Sequence, residues 1–385
     1  MSKASQPAGT RRRWNPVIIV FAILFLLYWA AAALVLLVDP LNLYPWGMPV
    51  RISDSVSPEQ KQNLLVEAAT NPQTDLIMIG SSVSAFYSAH ELRDWIPGAR
   101  HPANLSYDQP GFDDNQAVLG LVDRAPNVKR VILFYHPVTY LQSPGGMRPD
   151  VPMYLLDDVW FNDLRMVNSE ALRLAVQSLS GRPLYDGSHD FAGLLDFRKA
   201  RFTRFQSPDA MAELAASVRN GEVLLAAETA PANCAAYPGL GRQLQPFARK
   251  MSARGVQLDI VMPLLSHAYY AQWANAFDNT RQFRAQFAKD MVLRRCIVTA
   301  LNGLPHVNIY AFEESWLVDD MANFMDPGHI ESRPGSKFVF SNFNDSHRLT
   351  TGNIDIYLNQ LRRKALTYRV YNSNSRSPVF AAMHR

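Results

Sequence analysis

From Val17 to Val38 the chain runs VIIVFAILFLLYWAAAALVLLV, 22 residues without a charged side chain. Nothing else in the sequence limits the fold so strongly. At a rise of ~1.5 Å per residue, a helix of this length matches a hydrocarbon layer roughly 30 Å thick. Its flanks are asymmetric: Lys3, Arg11, Arg12 and Arg13 precede it in a segment that contains no acid, and Asp39 follows it. Basic residues on the amino-terminal side predict a cytoplasmic tail (residues 1–16), a single-pass anchor (17–38) and a main domain on the outer side. A cleaved signal peptide is the competing reading, with Ala31 to Ala33 as small residues for a peptidase, but five further apolar residues follow them.

The formal charge of +4 has the same origin. Without the four tail cations, 34 of the 38 basic residues remain, against 34 acidic ones. A neutral remainder argues against nucleic acid as a partner, because a basic face supplies most of that affinity.

Residues 39–58, DPLNLYPWGMPVRISDSVSP, hold prolines and turn formers and predict a juxtamembrane linker. SPEQKQNLLVEAAT then reads as an amphipathic helix, opened by serine, proline and an acid. Beyond it, short apolar runs alternate with helical patterns. DLIMIG (75–80), KRVILFYH (129–136), VQLDIVMPLL and HVNIYAFEES have strand length. SAHELRDWI, DDNQAVLGLVDRA (113–125), GRQLQPFARKMSARG, the stretch from Asn275 to Leu304 and TGNIDIYLNQLRRKALTYRV read as helices. Strands apolar throughout and separated by helices predict an α/β domain over residues 59–370, with a parallel sheet covered on both faces. Residues 140–235 interrupt this rhythm and predict an insertion or lid; residues 371–385 form a terminal tail.

The two cysteines, Cys234 and Cys296, would lie on the outer side, where they can pair or remain buried thiols. Their spacing offers no CxxC and no metal-ligand pattern, and no G-x-x-x-x-G-K phosphate loop is present. Neither a metal nor a cofactor is expected.

Ligands of open parallel sheets bind outside the carboxyl ends of the strands. After the first strand stand Gly80, Ser81 and Ser82. Here a serine can cap a helix, or it can present its hydroxyl beside the free N–H groups of a helix start. Far downstream, NFMDPGHIESRPG places Asp326 three residues before His329, close enough for the carboxylate to hold one imidazole tautomer. NFNDSHRLTTGN offers a rival pair, Asp345 and His347. His267 in PLLSHAYY and Asn323 are candidate cleft residues; a satisfied buried histidine is the other reading of His267. Ser84 reads as a helix cap, and His189 has no evident partner.

Taken in order, the anchor with VDPLNLY, IMIGSSVSAF, NLSYDQPG, RVILFYHPVTY, IVMPLLSHAYY, NIYAFEES and NFMDPGHI resemble the SGNH (GDSL-like) hydrolase superfamily. The arrangement is most similar to its membrane-anchored bacterial branch, which includes teichoic-acid D-alanyl-transfer and alginate O-acetylation proteins. The resemblance implies a three-layer α/β/α sandwich, SGNH/flavodoxin-like, behind one transmembrane helix of the bacterial inner membrane. It implies Ser82 as nucleophile, His329 as general base and Asp326 as its orienter. The oxyanion would be met by N–H groups of Ser82 and Gly111. Where such enzymes offer an asparagine, this chain has Tyr135 and His136; His136 could donate from its imidazole or be structural. The implied activity is acyl transfer to, or ester removal from, a cell-surface or exported polysaccharide, with a multi-span membrane acyltransferase as partner. A catalytically silent glycan-binding or scaffold subunit is the alternative.

Overall fold

A computed structural model describes residues 15–38, 69, 71–84, 87, 89–106, 111–141, 167–180, 208–219, 233–275, 281–330 and 332–370. The basic tail before residue 15, the linker, most of the amphipathic segment before β1, residues 107–110, much of 140–235 (His189 included) and the tail after 370 lie outside them.

The chain divides into two units. The first contains helix Pro16–Val38, the one helix among the described residues long and apolar enough to cross a membrane. Asn15 starts it: its side-chain oxygen accepts from the Val17 N–H at 3.0 Å, and Pro16, which has no N–H to satisfy, takes the first helical position. Val17 to Val20 and Phe21 are exposed, whereas Ala32, Val35 and Val38, one residue per turn, are buried. The same unit holds helix Ser169–Leu179, capped by Asn168 through the Ala171 N–H and burying Ala171, Leu174 and Ala175.

The second unit is built on a five-stranded sheet: β1 (Leu76–Ile79), β2 (Pro102–Asn104), β3 (Arg130–Phe134), β4 (Gln257–Val261) and β5 (Val307–Tyr310). Every pairing is parallel, in the order β2-β1-β3-β4-β5, with Ile79 opposite Leu133, Leu133 opposite Ile260 and Ile260 opposite Ile309. Successive side chains alternate between faces. Ile77, Ile79, Val131, Leu133, Leu258 and Ile260 enter one buried cluster with helices Phe112–Arg124, Gln245–Ala253, Arg281–Leu301 and Ile354–Thr367. Leu76, Met78, Ile132, Phe134 and Val261 enter the other with Leu92, Met211, Ala268 and Phe340. The one acid within these five strands, Asp259, is buried and accepts from Arg130, Gln257 and Asn308, which satisfies its charge.

From β1 the chain moves first to β2 on one side, then to β3 on the other. Strand order reverses between β1 and β3, and in open α/β sheets a crevice forms at such a reversal, outside the carboxyl ends.

β2 lies outside the sequence expectations because it is three residues long and begins with proline. That residue is tolerated at the first position of an edge strand, and β2 occupies the edge. A second sheet was also missed: β6 (Phe324–Asp326) and β7 (His329–Ile330) pair antiparallel around Pro327 and Gly328.

The open question about the cysteines is answered by a Cys234–Cys296 disulfide, which ties the segment before β4 to helix Arg281–Leu301 across 62 positions. Closing a loop of that size restricts the unfolded chain. Cys234→Ser is expected to lower unfolding free energy by about 4 kcal/mol, read by chemical denaturation with and without reductant. Equal stability of the reduced and oxidised forms would count against this.

Candidate active site

The site is assembled from β1, β3 and the small β6–β7 sheet. After Ile79 the chain turns at Gly80, where a Cβ would fall 2.0 Å from Ser84 Oγ and 2.9 Å from Phe134 Cβ. Only glycine lets this turn pass so close to β3. Ser81 to Ser84 form a turn rather than the start of a helix; the next helix is Ala89–Trp95. Ser84 is therefore no helix cap. Its hydroxyl donates to the Ser81 carbonyl at 3.1 Å and bonds the Ser106 hydroxyl at 2.9 Å.

Asn104, at the end of β2, donates to the carbonyls of Ser84 and Tyr87 at 3.0 and 2.7 Å and accepts from the Ser106 N–H at 2.9 Å. Sequence reading missed Asn104 and Ser106 as supports. Their signal was the buried polar pattern inside NLSYDQPG, which draws attention only once the neighbouring strand is known.

Asp326 and His329 face each other across the Pro327–Gly328 turn. Both Asp326 oxygens lie 2.8 Å from His329 Nδ1, and Oδ1 also accepts the Gly328 N–H at 2.9 Å. With Nδ1–H donating to the carboxylate, Nε2 presents its lone pair, 2.9 Å from Ser82 Oγ. The structure thus brings together three residues of which one lies 247 positions from another. His329 is 21% exposed and Asp326 25%, so the relay is open to a substrate.

Two further contacts hold this loop. Ser266 donates to the Pro327 carbonyl through its N–H at 3.0 Å and its hydroxyl at 2.7 Å. Tyr269 packs against Gly328, where a Cβ would come within 3.4 Å of its ring.

The other expected residues fall differently. His136 follows β3, and its buried Nδ1 has no hydrogen-bond partner. Burial, followed by the charge of nearby His329, lowers its pKa to about 4, so it is a neutral imidazole at physiological pH. The Gly111 N–H is not free: it donates to Asp114 Oδ2 at 2.9 Å, at the start of helix Phe112–Arg124. Its expected place among the oxyanion donors is not available in this arrangement, because the buried Asp114 carboxylate satisfies the same proton.

His267 and Asn323 do not bond to the relay. The Asn323 amide donates to the Leu317 carbonyl at 3.0 Å, and His267 Nδ1 is turned to Asp319 at 2.5 Å. The rival pair is no pair either: the Asp345 side chain is 98% exposed, and the His347 ring packs 4.8 Å from that of Phe312.

Tyr135, adjacent to His136, does not enter the site. Its hydroxyl donates to Asp290 at 2.7 Å in a buried cluster around Arg294. Arg294 Nε reaches Asp290 at 2.9 Å, Nη1 reaches Glu313 and Tyr357 at 2.6 Å, and Nη2 reaches Tyr270 at 2.8 Å. Burial raises the pKa of Asp290. For Arg294 burial acts to lower it, but Asp290, two tyrosines and Glu313 overcome that and hold it well above the usual value.

No family model matches the chain, and no curated protein or solved structure matches it. The functional argument therefore rests on the geometry.

Proposed function

We propose that the chain is a membrane-anchored serine acyl-transfer enzyme, an O-acyltransferase or esterase acting on a cell-surface or exported polysaccharide. The observation that carries this reading is the Ser82–His329–Asp326 relay at the reversal in strand order. The SGNH-like landmarks support it, and with them a three-layer α/β/α sandwich of the flavodoxin-like kind. The basic flank of helix Pro16–Val38 supports an anchor in the inner membrane with the relay on the periplasmic or outer side. A multi-span acyltransferase is the partner such a chain would need for acyl supply.

In this mechanism Ser82 Oγ attacks the ester carbonyl carbon while its proton passes to His329 Nε2. The tetrahedral oxyanion is met by the Ser82 N–H and the neutral His136 imidazole. Gly111 joins them only if its N–H leaves Asp114. When the intermediate collapses, the bond to the leaving oxygen breaks, and His329 returns the proton to that oxygen. An incoming hydroxyl then gives its proton to His329 and attacks the acyl-Ser82 carbonyl; collapse of that intermediate breaks the acyl carbon–Oγ bond while His329 returns the proton to Ser82 Oγ. Water as acceptor makes the protein an esterase; a sugar hydroxyl makes it a transferase.

The engagement of Gly111 by Asp114 favours a second reading, a catalytically silent scaffold or glycan-binding subunit. A fluorophosphonate separates the two, because it reacts only with an activated serine. Full-length protein in detergent should be labelled, and mass mapping should place the adduct on Ser82. A folded chain that takes no label would favour the scaffold, and an adduct on any other residue would reject Ser82.

A further inference from the structure

Helix Ser169–Leu179 belongs to the stretch 140–235 that interrupts the sheet pattern, and it packs against helix Pro16–Val38 within the first unit. Burial on the longer helix is confined to one end. Its residues are exposed from Pro16 to Ala30, and the buried ones, Ala32, Val35 and Val38, span only about 9 Å of a hydrocarbon layer roughly 30 Å thick. Small side chains let two helices approach closely: Ala32 on one helix and Ala171 and Ala175 on the other have no exposed surface.

The shorter helix carries more apolar surface than this contact uses. Ala171, Leu174 and Ala175 are buried, and Ser178 on the same side donates its hydroxyl to the Leu174 carbonyl at 2.9 Å, which satisfies it within the helix. Leu172, Val176 and Leu179, at i, i+4 and i+7, form a second stripe beside the packed one. Val176 is 54% exposed and Leu179 56%, with Leu172 half-buried. Ser169, Arg173 and Gln177, at i, i+4 and i+8, make a polar third stripe. At the helix start the Asn168 side chain takes up the Ala171 N–H at 2.8 Å, so one of the free donors of the first turn is already paired.

The neighbouring helix identifies what covers the apolar stripe. Lipid is the surrounding that suits an exposed helix without a charge, and the same lipid reaches side chains packed beside its last two turns. A helix at a bilayer surface sinks its apolar face about 5–10 Å into the boundary between headgroups and acyl chains and keeps its polar face in water. We propose that helix Ser169–Leu179 lies in the bilayer interface beside the anchor, with Leu172, Val176 and Leu179 among the acyl chains and Ser169, Arg173 and Gln177 toward water. This rests on reading helix Pro16–Val38 as a membrane span, and in the orientation set by its basic flank the leaflet entered is the outer one. The stretch 140–235 thereby gives the protein a second hold on the membrane, independent of the chemistry at Ser82.

Site-directed fluorescence quenching on the full chain tests it. Val176→Cys, Leu179→Cys and Arg173→Cys are made singly, with Phe25→Cys as a marker of the anchor, and each is labelled with bimane; the Cys234–Cys296 disulfide leaves no other thiol. The labelled chains are placed in vesicles of phosphatidylethanolamine and phosphatidylglycerol, with either iodide in the water or doxyl-labelled phosphatidylcholine in the bilayer as quencher. Bimane at Val176 and Leu179 is expected to lose emission to the lipid quencher and keep it in iodide, as at Phe25, and at Arg173 the order should reverse. Cysteine at Val176, Leu179 or Phe25 replaces an exposed side chain, so these variants report location without removing packing. Quenching at Val176 and Leu179 by iodide alone, with Phe25 still quenched by lipid, overturns the proposal, keeps the anchor and leaves the stripe to a protein partner. Iodide quenching at Phe25 as well overturns the anchor reading and this proposal together.

Discussion

Asp326→Asn is expected to leave the protein folded and to slow turnover of an activated acetyl ester on the order of 10⁴-fold. The carboxylate holds the His329 proton on Nδ1; an amide can donate to that nitrogen and so favour the tautomer with its proton on Nε2. Nε2 would then point a proton at Ser82 Oγ where a lone pair is required. Ser82→Ala removes the nucleophile outright and is expected to fall at least as far, with no acyl adduct at any time point. Steady-state hydrolysis of p-nitrophenyl acetate by the full chain in detergent measures both. A loss below about tenfold in either variant would mean that the reaction does not pass through this relay.

Arg294→Met is expected to cost about 5 kcal/mol of unfolding free energy, at the upper end for a broken buried ion pair, because it strands two carboxylates. Asp290 and Glu313 are buried and both are held by this guanidinium, as are the hydroxyls of Tyr270 and Tyr357. Methionine fills much of the volume and returns none of the hydrogen bonds. The pH dependence gives a second readout. Burial already raises the pKa of Asp290, and removing the cation raises it further. A carboxyl whose folded pKa lies above its unfolded one stabilises the fold at low pH and loses that contribution as pH rises through the folded pKa. The variant should therefore recover part of its deficit between pH 7 and pH 5. Denaturation at the two pH values checks this, and a deficit that grows on acidification would contradict it.

Much of this architecture was legible from the sequence where apolar periodicity is strong. The runs around Ile77, Ile132, Ile260 and Ile309 predict strands because each is buried on both faces, and all four lie in the sheet. β2 was illegible because an edge strand of three residues starting with proline carries no periodic signal. The β6–β7 pair was hidden for a similar reason: its turn residues, Pro327 and Gly328, dominate the local pattern. Within the site, Ser82, Asp326 and His329 stand out because their residue types and positions relative to the strands suit one chemistry. Arg294 gave no such signal. Its partners Glu313 and Tyr357 lie on other elements, and only the fold gathers them around one guanidinium. Ser84 was read as a helix cap from local rules and Gly111 as an oxyanion donor from the resemblance; in the structure the Ser84 hydroxyl bonds Ser106 and the Gly111 N–H donates to Asp114.

The pairing of β3 with β4 sets Arg130 opposite Gln257, across the whole excursion between the two strands. β1, β2 and β3 join over short distances along the chain and can associate early, whereas β4 must wait for a large loop to close. The histidine arrives later still, on a hairpin that follows β5. During synthesis, then, the serine is made first and stays without its base until the last third of the polypeptide has folded. On the proposed mechanism, a half-made chain carries Ser82 without His329 and cannot transfer an acyl group.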